Sequence, residues 1–478
     1  MIREGRLQIE PGAKVTVWGL GSFGGGASVV RRLLARGARV TVTDLKTREE
    51  LARSVASLAD CELEWVLGEH REQDLLEADL VVRNPAIPPS VGWIQRIREA
   101  GVPQTSEVAL ALQDLRVPYA IVTGSKGKTT TATLAGSMLA QGRVAGNNER
   151  ALSEVVDTLA PDDRVVLEVS SFMAHLLREG REQGVRFPAP AAVAITSLEP
   201  EHLNWHGELA DYYGAKLSLL ELGGQALIPA GSAEVEAQLA GRDVRRVSTS
   251  GPGEGVEAWL AEGAVWGLDA AGEPERLFAR DELRLLGEHN LANALLGVAL
   301  ARRLGASGAE VASGARGFEP LPHRLEVVAV DAAGVRFVND STATTPRAAI
   351  ASLRAVGQPA VLIAGGSDKG VDYTPLGVAA ADATAVVCIG QIGERIAQAA
   401  EACLGERGGS GKVLRAGSFD EAFAAAREAC PPGGTVLLAP GTASYDMFAN
   451  FKARGERFRS LAEAASRGQS EPGGAASP

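Results

Sequence analysis

The chain has 478 residues, 45% of them hydrophobic and 22% charged, with 48 basic against 59 acidic side chains and a net charge of −11. That length is too great for one core and fits about three domains, and the acidic balance argues against nucleic-acid binding as the main role. Cys61, Cys388, Cys403 and Cys430 form no Cys-x-x-Cys pair, no run of about 18 uncharged apolar residues suggests a membrane span, and the opening Met1-Ile-Arg-Glu-Gly-Arg6 has no apolar signal segment; the expectation is a cytoplasmic protein with reduced thiols.

In chain order, a strand at Lys14–Trp18 leads into Gly19-Leu-Gly-Ser-Phe-Gly24, an apolar-periodic helix to about Gly37, and a second strand, 38–43, ending on Asp44. Gly-x-Gly-x-x-Gly with an acid about 20 residues on is the dinucleotide fingerprint. Taken alone it favours a nicotinamide enzyme. The same turn can equally hold the diphosphate of a UDP-sugar, since the physics is a helix N-terminus against pyrophosphate. A third strand, 79–83, runs into the stiff loop Asn84-Pro-Ala-Ile-Pro-Pro89, at a strand end where open sheets bind ligands. Arg116-Val-Pro118 reads as a hinge into the next unit.

Thr123-Gly-Ser-Lys-Gly-Lys-Thr-Thr-Thr131 follows a short buried strand, 119–122, and precedes a helix, 132–140. Its glycines therefore sit where a strand turns into a helix N-terminus, with outward backbone N–H groups and partial positive charge. Lys128 adds a full charge, and Thr129 places a hydroxyl where Mg²⁺ on phosphates needs an oxygen. Gly124, Ser125, Lys126, Gly127, Lys128, Thr129 and Thr130 are the candidate contacts to ATP. Val122 stands where the full eight-residue P-loop wants a glycine, so the motif is the shorter Thr-Gly-x-x-Gly-Lys-Thr. A buried strand at 164–171 carries Glu168, and such strand-end acids commonly reach the Mg²⁺. A strand at 191–196 leads into Glu199-Pro-Glu-His-Leu-Asn-Trp-His206; helices follow at about 208–222 and 290–304, the second carrying Asn290 and Asn293 on one face.

Leu321-Pro-His-Arg-Leu-Glu326 begins a third unit, in which strands at 335–338, 360–364, 385–389 and 435–439 alternate with Ala-rich helices. The expected fold class is α/β with three domains. These are a Rossmann-like N-terminal domain (1–117), a central P-loop ATPase-like domain (118–320) and a Rossmann-like C-terminal domain (321–466), with a disordered tail at 467–478.

Thr123-Gly-x-x-Gly-Lys-Thr129, Glu168-Val-Ser-Ser171, His202, Tyr213-Gly-Ala-Lys216, His289-Asn290-x-x-Asn293, Pro322-His-Arg324, Asn339-Asp-Ser341 and Gly365-Gly-x-x-Lys369 fall in one order, and together they resemble the Mur ligases. The compact first unit and Ala443-Ser-Tyr-Asp-x-Phe448 bring the chain nearest to the branch that adds glutamate to UDP-N-acetylmuramoyl-L-alanine in peptidoglycan precursor synthesis. The resemblance implies a monomer making an amide in two steps: ATP phosphorylates the substrate carboxylate, and the glutamate amine displaces phosphate from the acyl phosphate. Domain closure is the expected gate.

By the same resemblance, Lys128 bridges the β- and γ-phosphates, Thr129 and Glu168 hold one Mg²⁺, and His202 contacts a second. Lys216 is implied to carry a carbamate formed from CO₂, an anionic oxygen donor to metal. Asn290 and Asn293 lie near the adenine, and Arg324 and Asp340 hold ribose or phosphate. Thr344, Lys369, Ser444 and Phe451 take the glutamate, Ser22, Phe23 and Asp44 the UDP moiety, and Asn147 the muramoyl-alanine.

Several positions depart from the usual pattern. Lys126 replaces asparagine, Gly146-Asn-Asn-Glu-Arg150 replaces Gly-Asn-aliphatic-Gly, and Met173, Ser197, Glu201 and Asn204 replace Gln, Asn, Asp and Asp. Thr342 stands where the run Asn-Asp-Ser-Lys-Ala-Thr carries lysine, and Lys126 is a candidate to compensate for that cation. Open alternatives are an L-glutamate-adding relative, a folylpolyglutamate synthase-like ligase, an NAD(P)-binding oxidoreductase, and a catalytically silent relative.

Overall fold

The computed structural model describes residues 2–21, 24–147 and 150–468. It has three main sheets arranged in two compact units, residues 1–283 with 292–318, and residues 284–291 with 319–478.

In the first unit, five parallel strands run in the order Glu64–Leu67, Arg39–Asp44, Lys14–Trp18, Leu80–Arg83, Gln104–Thr105. The order reverses between Lys14–Trp18 and Leu80–Arg83. A doubly wound sheet therefore opens its ligand crevice at the carboxyl ends of those two strands, where the glycine turn and the Asn84 loop begin. Gly19 packs so closely there that a Cβ would press on Asn84, and its φ of 83° is left-handed.

The same unit holds a nine-stranded sheet built outward from Tyr119–Thr123, whose five residues are all buried. Its parallel neighbours are Arg164–Glu168 on one side and Ala192–Ile195 on the other, with Gly142–Gly146 at one edge. Burial on both faces explains the continuous apolar run. Beyond Gln225–Pro229 and Val244–Ser248 comes an antiparallel extension, Val256–Ala261, Ala264–Leu268 and Pro274–Ala279, that the sequence reading did not anticipate. The two sheets' domains are joined by ion pairs, among them Arg32–Asp157 and Arg83–Glu179.

The phosphate-loop helix spans Lys128–Ser137, starting four residues before the expected 132. Gly127, at φ 87°, turns the chain, and the Thr131 amide donates to the Gly127 carbonyl at 2.9 Å, so the Lys-Thr-Thr run is itself the first turn. The strand expected at 164–171 stops at Glu168 because Ser170 caps the helix Ser171–Glu182, accepting from the Met173 amide at 3.2 Å. The helix expected at 208–222 is α-helical over Leu209–Leu217 and tightens to a 3-10 turn over Ser218–Leu222.

The second unit is a six-stranded sheet in the order Glu326–Val330, Arg336–Asn339, Thr435–Leu438, Ala360–Gly365, Ala385–Ile389, Lys412–Arg415. All pairs are parallel except the first, an antiparallel edge absent from the sequence reading. Thr345 caps the helix Pro346–Val356, with proline at its first turn, and Asn450 caps Phe451–Ser466. Arg467 and Gly468, expected in a disordered tail, close that last helix through amide bonds to Glu463 and Ala465; 469–478 lie outside the described residues.

Candidate active site

The phosphate loop leaves the central strand at Thr123 and folds against residues 196–199. The Ser125 amide donates to the Ser197 carbonyl at 2.8 Å, and the Lys126 amide to Ser197 Oγ at 2.9 Å. Ser125 Oγ receives the Glu199 amide at 2.8 Å and sits 2.9 Å from the Tyr212 hydroxyl. Gly124 has φ 139°, and a Cβ there would collide with Thr196, so the loop is shaped by the strand next door. Beyond it the ten-residue helix Lys128–Ser137 presents its N-terminus, carrying Lys128, Thr129 and Thr130. That end leaves amide donors without intrahelical partners and is favourable for a phosphate.

Two lysines converge on the carbonyl of Gly124. Lys128 Nζ donates to it at 2.9 Å and to the Ser125 carbonyl at 2.9 Å, while Lys216 Nζ, on the helix Leu209–Leu217, donates to it at 2.7 Å. Lys216 is only 1% exposed, and its Nζ lies 4.8 Å from the centre of the Tyr212 ring. Burial, then the nearby charge of Lys128, pushes its pKa down from 10.5 to about 6, so the neutral amine prevails at neutral pH.

Glu168, also 1% exposed, ends the strand beside the loop's own, in register with Val122. Its Oε1 accepts from Asn147 Nδ2 at 3.1 Å. His202 begins the short helix Leu203–His206 with a left-handed φ of 55° and packs its ring on Phe172 at 4.8 Å. Desolvation and the lysine charges hold His202 below the ordinary imidazole pKa, and burial takes His206 down to about 4. Among the described residues, no group of three or more His, Cys, Asp or Glu side chains could hold a metal ion on its own. A cation there would need oxygen from the nucleotide, as Mg²⁺ commonly does.

Lys126 is an exposed loop cation whose Nζ pairs with Glu201. The two departures Lys126 and Glu201 thus form an ion pair with each other. Asn293 packs over Gly127, so closely that a Cβ on Gly127 would collide with its side chain. Asn290, in the second unit, is buried and donates to the Leu286 carbonyl at 2.9 Å. Asp44 lies at the glycine turn, but one carboxylate oxygen already accepts the amides of Leu20 and Gly21, at 2.9 and 3.3 Å. Ser22 and Phe23 lie outside the described residues.

In the second unit, the loops after the strands bring Thr344, Lys369, Ser444 and Phe451 to the carboxyl edge of the sheet. Lys369 Nζ donates to the Thr344 carbonyl at 3.0 Å. Asp340 is buried, with Thr342 Oγ1 donating to it at 3.0 Å and Ser352 Oγ bonded to its other oxygen; burial raises its pKa. Arg324, exposed beside it, contributes an opposing charge. The sequence reading missed Arg454, which is 0% exposed. Its guanidinium donates to Ser341 Oγ and the Ser341 carbonyl, each at 3.0 Å, and to the Thr442 carbonyl at 3.2 Å, tying together the loops that carry Thr344 and Ser444. One signal was available: Gly455 follows it inside a helix, where His323 leaves no space for a Cβ.

These features define a three-domain α/β protein with a nucleotide-phosphate cradle in its central sheet. Comparison with known families matches residues 13–106 to the Mur ligase MurD-like N-terminal domain, 122–301 to the Mur ligase middle domain, and 323–442 to the Mur ligase glutamate ligase domain. Two similar relatives, from Roseiflexus sp. (strain RS-1) and Symbiobacterium thermophilum, are described as UDP-N-acetylmuramoylalanine–D-glutamate ligases. The first is 36% identical, covering 95% of this chain and 98% of that protein; the second is 37% identical, covering 92% and 96%. The fold is also that of a pseudomurein peptide ligase type C from Methanothermus fervidus (TM-score 0.56, 15% identity, 95% of this chain and 100% of that one). MurF ligase from Thermotoga maritima in complex with ADP is comparable (TM-score 0.54, 16% identity, covering 95% and 96%). The chain belongs to the Mur ligase family. No helix among the described residues is long and apolar enough to cross a membrane.

Proposed function

We propose that this protein is an ATP-dependent ligase that joins D-glutamate to UDP-N-acetylmuramoyl-L-alanine in peptidoglycan precursor synthesis. The observation that carries the reading is the convergence of Lys128 and the buried Lys216 on the Gly124 carbonyl of a phosphate loop beside Glu168. A nicotinamide oxidoreductase would leave that constellation without a task.

The residues fit Mg²⁺ and ATP. A glycine loop no Cβ could enter, a helix N-terminus and Lys128 suit the triphosphate. Thr129, Glu168 and His202 supply oxygen and nitrogen donors for divalent cation. Lys216 suits a carbamate: its amine is buried and held largely neutral, which is the form that adds CO₂, and the product gives the anionic oxygen a cation wants. Bound there, Mg²⁺ would supply charge neutralisation for the phosphoryl oxygens.

Lys128 and the helix N-terminus orient the γ-phosphate for attack by the substrate carboxylate, giving an acyl phosphate and ADP. Phosphorylation is needed because a carboxylate oxygen is a very poor leaving group. The glutamate amine then attacks the activated carbonyl, and phosphate departs from the tetrahedral intermediate. Lys369 provides a cation for glutamate carboxylate, Thr344 and Ser444 polar contacts, and Phe451 an apolar wall for the methylenes. Asn290, Asn293, Arg324 and Asp340 serve the nucleotide; Ser22, Phe23 and Asp44 serve the UDP moiety. The domains run 1–117, 118–320 and 321–466.

A phosphate-release assay with ATP, UDP-N-acetylmuramoyl-L-alanine, bicarbonate and either glutamate enantiomer tests the reading. Release requires all three substrates and prefers D-glutamate. Turnover with L-glutamate alone would overturn the stereochemistry, and release that ignores the UDP-substrate would overturn the reaction.

A further inference from the structure

Asn147 bonds to Glu168 through both its backbone and its side chain. The edge strand Gly142–Gly146 pairs in parallel with Arg164–Glu168, setting Gly146 opposite Glu168. Gly146 has φ 110°, and a Cβ there would collide with the Glu168 carbonyl oxygen, so the backbones meet without any side chain between them. Asn147 then makes two bonds back to the same residue. Its amide donates to the Glu168 carbonyl at 2.9 Å, and its side-chain Nδ2 donates to Glu168 Oε1 at 3.1 Å. The first bond fixes the loop and the second fixes the carboxylate.

The terminal torsion of a glutamate is broad and roughly two-fold, so a buried carboxylate without a directional partner samples several orientations. An amide donor on one oxygen selects one of them. Carboxylates that hold metals are themselves held by such partners, and losing one typically weakens metal affinity 10–100-fold. We propose that Asn147 is a positioning residue for the divalent cation, its side-chain amide orienting the Glu168 carboxylate, in place of the sugar-peptide contact read from its motif. The inference rests on Glu168 being a cation ligand, as set out above. Asn147 is itself exposed, so truncating it leaves the core and the backbone bond to Glu168 intact.

The test titrates Mn²⁺ into the full-length protein with a non-hydrolysable ATP analogue, read by electron paramagnetic resonance, for wild type, Asn147→Ala and Glu168→Gln. Calorimetry with UDP-N-acetylmuramoyl-L-alanine, without metal or nucleotide, runs alongside. Asn147→Ala weakens Mn²⁺ binding about tenfold or more and leaves affinity for the UDP-substrate within about twofold. Unchanged Mn²⁺ affinity with lost UDP-substrate affinity overturns the inference and returns Asn147 to the substrate. Loss of both in equal measure also overturns it, as general damage to the loop. If wild type forms no protein-bound Mn²⁺ site, or Glu168→Gln binds Mn²⁺ as wild type does, the reading of Glu168 falls and the inference with it. If wild type and Asn147→Ala bind alike while Glu168→Gln does not, the inference falls alone.

Discussion

Lys216→Met removes a buried amine and keeps its apolar stem, and it should make the unit that carries it more stable while abolishing ligation. In the folded chain the pKa is near 6, against 10.5 for the exposed amine. Folding at pH 7 therefore strips a proton from a group about 3.5 pH units below its natural pKa, a cost on the order of 5 kcal/mol. Methionine has no such cost. It loses one hydrogen bond, to the Gly124 carbonyl, worth roughly 1 kcal/mol, but that carbonyl keeps Lys128 Nζ at 2.9 Å and is not orphaned. A net gain of about 3–4 kcal/mol remains at pH 7.

The sign follows from proton counting. Between pH 6 and 10.5 the unfolded wild type binds one proton more than the folded form, so wild-type stability rises with pH across that window. The variant's advantage is therefore greatest below pH 6, shrinks about tenfold in equilibrium constant per pH unit above it, and vanishes about 2–3 units above pH 7, where the remaining deprotonation cost equals the lost hydrogen bond. Guanidinium unfolding of both proteins from pH 6 to 9 in CO₂-free buffer, followed by a probe in the central sheet, measures it. Added bicarbonate should stabilise wild type and leave the variant unmoved. A stability difference independent of pH, or a variant less stable at pH 7, would refute the account of Lys216 as a buried, deprotonated lysine.

Gly127→Ala places a Cβ at φ 87° against Asn293, so it should lower stability by about 2 kcal/mol and abolish the thermal shift that an ATP analogue gives wild type. Glu179→Ala strands the Arg83 guanidinium, 1% exposed, without its partner and should cost about 3–5 kcal/mol, whereas Arg83→Leu with Glu179→Leu should cost far less; equal losses in denaturant midpoint would contradict this. Thr342→Val removes a donor from buried Asp340 and should cost about 1–2 kcal/mol with little change in KM for glutamate; a large rise in that KM at unchanged stability would show Thr342 touching substrate instead.

The phosphate loop could be read from sequence because all of its parts are contiguous: buried strand, two glycines, lysine, helix. Lys216 could not be placed that way. Its burial depends on a bond to Gly124 across 92 positions, and a lysine on a helix otherwise reads as solvated. Asn147 carried a family signature that pointed to substrate, while its bond to Glu168 depends on which strands are neighbours. The extension at Val256–Ala279 left a usable clue in Glu262-Gly263, both at left-handed φ between Trp259 and Trp266, whose rings stack 6.4 Å apart. Read as a tight hairpin turn, that pair predicts the two antiparallel strands.

The departures from the family pattern make sense only in pairs. Lys126 alone adds a cation to the phosphate loop, and Glu201 alone adds an acid at residues 199–206; paired, the two offset each other's charge. Thr342 alone looks like a lost cation at the glutamate site. Its hydroxyl instead supplies a donor to Asp340, a buried carboxylate that Ser352 Oγ also bonds. Lys369 donates to the Thr344 carbonyl in the same region, and the buried Arg454 holds the Ser341 and Thr442 loops in register. The substitutions redistribute charge within the family's architecture and leave the phosphate cradle as its chemical centre.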